Sequence, residues 1–277
     1  MRAWNLTRAD AVYRHGSFSA GLRAAGYYVQ KGIPLDVKPG EVVLGWNRYS
    51  TYHDIANRVE KAGGIYVCAE NGYLAEGGLS PHDMSTRTVY ALGRGWHNDS
   101  TAIREGSGNR WQALGIDLKP WRADGGHVLI CANRSFGAPD RMMPPGWGEK
   151  TAAKLARMTK REVRLRPHPG NSPPKKALGA DLDGAWACVI WSSSAGVHAL
   201  VAGIPVICEA PYWICKGAAF PNWTECERWT SADLAIRREP AMHRLAWGQW
   251  HLSEIESGEA FVHCLRPARQ SQVAASA

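Results

Sequence analysis

Apolar residues fall into short runs separated by turns rich in Gly, Pro and Ser, with amphipathic stretches between them. The most organised block is Val163–Val206. Glu162–Arg166 reads as a short strand that stops at Pro167-His168-Pro169-Gly170, because proline cannot extend a ladder. Ala187–Trp191 (ACVIW) has the length and character of a buried strand. Ser192-Ser193-Ser194-Ala195-Gly196 ends it, and a helix follows through Val197, Ala199, Leu200 and Val201. Gly203 closes that helix, and Pro205 opens the strand Val206–Cys208. Strand, serine turn, helix, strand is a βαβ unit.

The same alternation occurs earlier. Asp10–Gly26 predicts a turn and an amphipathic helix with Phe18, Leu22 and Ala25 on one face. Strand character follows at Tyr27–Val29 and at Glu41–Trp46. Tyr52–Ala62 predicts a helix with Ile55 and Val59 inward, closed by Gly63-Gly64 before the strand Ile65–Cys68. Ala75–Ser107 is rich in Gly, Ser, His and Asp and reads as a functional loop region around a strand-like Thr88–Leu92. Leu118–Trp121 has linker character, and His127–Cys131 opens a second half with a helix at Gly148–Met158. Pro240–Ile255 predicts a final helix carrying His243, Trp247, Trp250 and His251. The expectation is an α/β fold of two Rossmann-like domains facing across a cleft. They span residues 1–124 and 125–265, with the C-terminal helix returning to the first domain and a flexible tail at 266–277.

Composition narrows the classes. With 277 residues and 45% apolar content, the chain can bury a substantial core. No apolar run approaches the ~20 residues that span a bilayer. Met1–Asp10 is polar and charged, unlike a signal peptide, so a cytoplasmic protein is expected. Seven scattered cysteines without a CxxC pair suggest buried thiols, not a disulfide framework or a zinc site. The net charge of +8 favours anionic partners: nucleotide donors, nucleic acid or acidic lipid surfaces. Thirteen tryptophans fit core packing first, and sugar or base stacking second. P-loop, nucleophile-elbow and HExxH patterns are absent from the sequence.

Candidate chemistry gathers at strand ends. His168 and Ser192, Ser193 and Ser194 both follow strands, where open α/β sheets bind ligands, and the serine turn offers backbone N–H groups to an anion. A plain turn and a plain helix cap are the alternative readings. Arg134 follows the first strand of the second half, where a guanidinium can hold phosphate oxygens. Strand alternation would point Arg166 to the same side as His168. Glu70 ends a first-half strand in AENGYL and is the candidate base or positioning carboxylate; capping a turn is its alternative. His97 (GRGWHN) and His15 (YRHGS) are further catalytic candidates at loop ends. On the acceptor side stand Arg48, Arg94 and the basic turn Lys175-Lys176, with Tyr73 and Trp96 able to stack on a base. Lys175-Lys176 reads equally well as solvated surface.

RPHPG followed by SSSAGVHALVAGIPV resembles the nucleotide-sugar half of GT-B glycosyltransferases, especially the capsule-polysaccharide, Kdo-transferase-like group. That group carries an HP motif and an S-S-x-A-G-x-E-A-L-x-x-G-x-P-V motif. The resemblance implies that His168 and the serine turn through Gly196 contact the donor phosphate. It implies a ribose-binding glutamate where this chain has His198. Glu70-Asn71-Gly72-Tyr73 is similar to the group's E-D-G-F-like segment, with Asn71 in place of an acid. The architecture implies no bound metal and no permanent cofactor, only a UDP-, GDP- or CMP-linked sugar as co-substrate. For the acceptor, charge and tryptophan content point to a hydroxymethylated pyrimidine in DNA, as in small virus-type DNA glycosyltransferases. The motif resemblance points instead to a surface or capsular glycan. An inactive GT-B-like binding module is the third reading.

Overall fold

The computed structural model describes residues 1–10, 13–74, 88–134, 137–172, 176–229 and 231–266. In chain order the first half contains β1 (Arg2–Asn5), α1 (His15–Ala24), β2 (Tyr28–Gln30), β3 (Val42–Trp46), α2 (Thr51–Lys61), β4 (Ile65–Asn71), β5 (Val89–Arg94) and α3 (Asn109–Ala113). Next come β6 (His127–Cys131), α4 (Trp147–Leu155), β7 (Glu162–Arg166), α5 (Leu178–Leu182), β8 (Ala185–Ile190), α6 (Ala195–Val201) and β9 (Val206–Cys208). The chain closes with α7 (Trp223–Glu227), α8 (Ser231–Ala246), β10 (Gln249–His251), α9 (Leu252–Glu256) and α10 (Glu259–Leu265).

Two sheets result. The first has the order β10-β5-β4-β3-β1-β2, and the second has β7-β6-β8-β9. All pairs of the second sheet are parallel, as are β2-β1-β3-β4 of the first, while β5 pairs antiparallel with both β4 and β10. In each sheet the opening strand lies between the second and third, so the strand order reverses there. That reversal is where such sheets open a crevice for ligands.

Strand alternation divides each sheet between two cores. In the first, Ala3, Val42 and Leu44 pack with Phe18, Leu22, Tyr90 and Phe261, while Trp4 and Val43 pack with Ile55, Val59 and Tyr66. In the second, Val128, Ile130 and Val189 face one core and Leu129, Cys188 and Ile190 the other. Burial on both faces is why these strands read as unbroken apolar runs. The core beneath Leu129 and Cys188 also takes in Tyr73, Leu74, Trp111 and Leu245, and so runs on into the first half. The seven cysteines are buried thiols, and among the described residues no helix is long and apolar enough to cross a membrane.

The chain's end departs from expectation. Pro240–Ile255 is not one helix: α8 begins at Ser231 and stops at Ala246, and β10 intervenes before α9. Pairing with β5 overrides the local helical period, setting Trp250 opposite Tyr90 and burying it in the first core. The Gln249 amide adds three bonds, accepting from Tyr73 N and Leu74 N and donating to the Leu74 carbonyl. α9 and α10 then lie on α1 at close range; a Cβ at Gly21 would fall 1.8 Å from the Ile255 carbonyl oxygen. Gln249–Leu265 sits on the first sheet, as expected of a C-terminal segment returning to the first half, so the 125–265 range runs too far. β1 was not anticipated at all: four residues with one aliphatic and one aromatic side chain carry too little pattern.

Candidate active site

A cavity of about 390 Å³ lies at the carboxyl ends of both sheets. Its first-sheet wall includes Asn47, Glu70, Tyr73, Trp96, His97 and Asn98. Its second-sheet wall includes Asn133, Arg134, Arg141, His168, Ser192 and Ser194.

On the first wall, β3 turns out of the sheet at Asn47, whose left-handed backbone (φ 69°) suits asparagine. The Asn47 Nδ2 donates to Glu70 Oε2 at 2.8 Å, and the Asn71 N–H donates to Glu70 Oε1 at 2.9 Å. Both carboxylate oxygens thus accept from neutral donors at the end of β4. Among the described residues, Glu70 is the one carboxylate lining the cavity. His97 reaches it through a tight turn in which a Cβ at Gly93 would meet the Trp96 carbonyl at 1.9 Å. Its Nδ1 lies 3.4 Å from Cys68 Sγ, and its carbonyl accepts from the Tyr73 hydroxyl. Burial pushes the His97 imidazole down to about 4, so it is neutral at pH 7.

The acceptor-side candidates are corrected here. Arg48 lines the cavity but is only 5% exposed, and Glu60 neutralises it bidentately at 2.6 and 2.7 Å. Gly95 O and Asn57 Oδ1 take the remaining Nη1 and Nη2 donors and Nε is buried, so it braces the wall and offers little to a phosphate. Trp96 is already stacked, with the guanidinium groups of Arg48 and Arg141 each 4.6 Å from its ring centroid. Tyr73 is buried and spends its hydroxyl on His97. Arg94 lies outside the cavity, on the side of Tyr27 and Cys264, whose titration it influences.

The second wall is built at the reversal between β6 and β8. Asn133 Oδ1 accepts from Ser192 N at 3.1 Å, tying the ends of the two strands together. Asn98, from the first half, donates through Nδ2 to the Ser192 carbonyl at 2.7 Å and accepts from Ile214 N at 3.3 Å. The neighbouring Asp99 Oδ2 holds Arg141 Nη1 at 2.5 Å. Burial raises the Asp99 carboxyl, but hydrogen bonds from Arg141 and Thr101 outweigh it and leave the pKa below its usual value. Arg141 also lies over the Tyr212 ring at 4.2 Å, so one arginine spans the cavity edge.

His168 Nδ1 accepts from the Gly170 N–H at 2.9 Å. A ring nitrogen that accepts carries no proton, so the neutral imidazole has its N–H on Nε2. The Arg134 guanidinium lies over Gly170, where a Cβ would be 2.1 Å from Nη2. The glycine of the PHPG turn therefore makes room for the arginine.

The serine turn is used differently from expectation. The Ala195 N–H donates to Ser193 Oγ, the Gly196 N–H to Ser193 O and the Val197 N–H to Ser194 O, so these helix-head donors are satisfied internally. Ser192 and Ser194 line the cavity, and Ser193 does not. Gly196 is a packing residue, since a Cβ there would lie 2.7 Å from Ile190 Cδ1 and from Trp213 Cζ2. His198, within α6, stands outside the cavity lining.

Three further candidates lie elsewhere. His15 Nδ1 sits 2.9 Å from the Thr7 carbonyl and serves the loop before α1. Arg166 pairs with Asp181 and donates to the Lys176 carbonyl. β7 ends at Arg166, before Pro167, so the strand alternation does not run on to His168. Lys176 lines the same outer groove as Arg166, and Lys175 lies outside the described residues. Sequence reasoning missed Asn47, Asn98, Asn133 and Arg141. The two strand-end asparagines had a readable signal, a short amide within two residues of a buried apolar run. Among the described residues no group of three or more His, Cys, Asp or Glu converges on a metal position.

A mixed sheet and a parallel sheet meeting at a polar cavity are similar to the fold of two solved transferases. The structure is similar to the beta Kdo 2,7 transferase of Thermosulfurimonas dismutans KpsC, with a TM-score of 0.59 and 15% identity over 96% of this chain and 99% of that one. The beta Kdo 2,4 transferase of the same organism's KpsC matches with a TM-score of 0.57 and 16% identity over 89% of each chain. The likeness to the Kdo-transferase-like group, first met in the RPHPG and SSSAG motifs, thus extends to the fold. No protein-family model and no curated protein matches the sequence.

Proposed function

We propose that the chain is a GT-B glycosyltransferase that moves a sugar from a nucleotide-sugar to a glycan hydroxyl, its two Rossmann-like halves closing on the cavity. The carrying observation is the division of that cavity. Glu70 and His97 stand on one wall, and Arg134, His168 and Ser194 on the other. In this reading the His168 Nε2–H and the Arg134 guanidinium hold the donor phosphate and stabilise the charge that develops on it as the glycosidic bond breaks. Glu70, held by Asn47 and Asn71, orients the acceptor hydroxyl and takes its proton as the new bond forms. His97, neutral at pH 7, lies within the same wall as a second hydrogen-bonding group.

A glycan acceptor is favoured over DNA. Arg48, Tyr73 and Trp96 are engaged within the protein, and Arg94 and Lys176 lie outside the cavity lining. The basic line along the cavity mouth that a duplex would require is therefore lacking among the described residues. The similar solved structures are Kdo transferases, which supports the same choice.

The test is a donor-hydrolysis screen over UDP-, GDP- and CMP-sugars, paired with titration of duplex DNA bearing hydroxymethylated pyrimidine at two salt concentrations. One nucleotide class should be hydrolysed, with weak DNA binding. A log–log salt slope of roughly −0.9 per phosphate neutralised, together with base modification, would restore DNA as acceptor. Hydrolysis of none of the three classes would overturn the donor reading.

A further inference from the structure

A second groove lies at the opposite end of the second sheet. Arg161 precedes β7, Trp186 is the second residue of β8 and Gly125-Gly126 precede β6, so these residues sit at the strands' amino ends. Five-residue strands put them roughly 17 Å from the cavity end. The groove, about 640 Å³, is lined by Trp121, Arg161, Trp186, Glu227, Arg228 and Trp229. Trp186 forms a fixed floor, with Arg161 over its ring at 4.2 Å and Trp223 at 5.1 Å. Trp121 and Trp229 form an open corner, their centroids 6.4 Å apart and their planes inclined at 52°. Arg238 lies over Trp121 at 4.1 Å, while the buried Trp121 Nε1–H has no acceptor among the described residues. The ring's orientation is therefore set by stacking.

Two half-buried indoles at a solvent groove, with two arginines against a single glutamate, need a reason beyond core packing. We propose that this groove binds an acidic oligosaccharide, with the C–H face of a sugar ring on Trp229 and Trp121 and its carboxylates at Arg161 and Arg228. The 52° inclination decides between anionic ligands: a flat base prefers parallel planes, whereas a puckered pyranose can meet one ring with its face and the other with its edge. The charge selects acidic over neutral sugars. This site does not depend on the transferase reading of the cavity.

The test is calorimetric titration with α-1,4-oligogalacturonate and α-2,8-oligosialate, beside neutral malto-oligosaccharide and a single-stranded oligonucleotide of matched length. An acidic oligosaccharide should bind, and roughly tenfold more weakly to Arg228→Glu and to Trp229→Ala. Nucleotide affinity at the cavity should stay unchanged in both variants. Arg228 is exposed, so its variant decides the matter if Trp229→Ala fails to fold. Binding of neither acidic oligosaccharide, equal binding of the neutral one, tighter binding of the oligonucleotide, or full affinity in Arg228→Glu would each overturn the proposal.

Discussion

The carboxyl ends of the two sheets start from the same strand order, opening strand between second and third, and end with opposite chemistry. The first-sheet wall is closed on itself: Arg48 is answered by Glu60, Glu70 is braced by Asn47 and Asn71, and His97 rests against a thiol. The second-sheet wall lines the cavity with Arg134, with Arg141 held by Asp99, with a histidine whose proton is on Nε2 and with serine hydroxyls, and has no carboxylate among its described residues. One topology thus yields a wall suited to positioning a neutral hydroxyl and a wall suited to an anion. The difference lies in the few residues after each strand, not in the strands.

Breaking the first wall should have the largest effect. Glu70→Gln keeps the shape and an acceptor oxygen for one of the two donors, Asn47 or Asn71, but removes the proposed base. Turnover should fall by roughly 10²–10⁴-fold while nucleotide affinity and Tm stay constant. Single-turnover kinetics beside calorimetry checks this, and an equal loss of nucleotide affinity would move Glu70 to the donor side.

Acid should also act on the first wall. A half-buried His97 whose pKa is about 4 is folded-state depressed relative to its ordinary 6.5. The unfolded chain therefore binds the extra proton first. Stability is full above about pH 6.5 and falls as pH drops towards 4, by on the order of 3 kcal/mol for this one group. His263, also lowered by burial, contributes in the same direction. Asp99 acts lower: its depressed carboxyl contributes above its unfolded value near ~3.9 and loses that contribution only as pH falls further. Thermal melts of wild type and His97→Gln from pH 7 to 4 should converge as pH falls, and parallel curves would contradict the assignment.

The smaller effect belongs to the second wall. His168→Ala should weaken nucleotide binding by ~1–3 kcal/mol, roughly 5- to 150-fold, with Tm unchanged. Lys176→Ala, on the outer groove, should leave that affinity within about twofold. If the two variants behave alike in calorimetry, the anion wall has been misplaced.

Legibility in the sequence followed burial. β6, β7 and β9 were readable almost residue for residue, the first and last because burial on both faces leaves unbroken apolar runs between turns. β1 and β10, four and three residues long, depend on distant pairing partners and leave no local pattern. At the cavity, Glu70, Arg134, His168, Ser192 and Ser194 were reachable from one rule, that ligands gather at strand carboxyl ends, whereas His97 follows the antiparallel β5 and comes to the cavity through the turn at Gly93. Arg48 and Trp96 show its limit. Their position was right, but Glu60 and Arg141, which occupy them, are tertiary neighbours that spacing does not reveal. Arg166 failed because a period of two does not survive a proline.

The short strand β10 has a consequence for the order in which the protein assembles. β1 to β5 are all synthesised by Arg94, yet the outer edge of β5 and the Tyr73 amide wait for Gln249, 176 residues after Tyr73. At ~5–20 residues per second on the ribosome, that edge stays open for roughly 8–30 s. An uncovered strand edge of this kind is a template for pairing with other chains. The first sheet is thus begun first and finished last, and its completion registers that the whole second sheet has already been made.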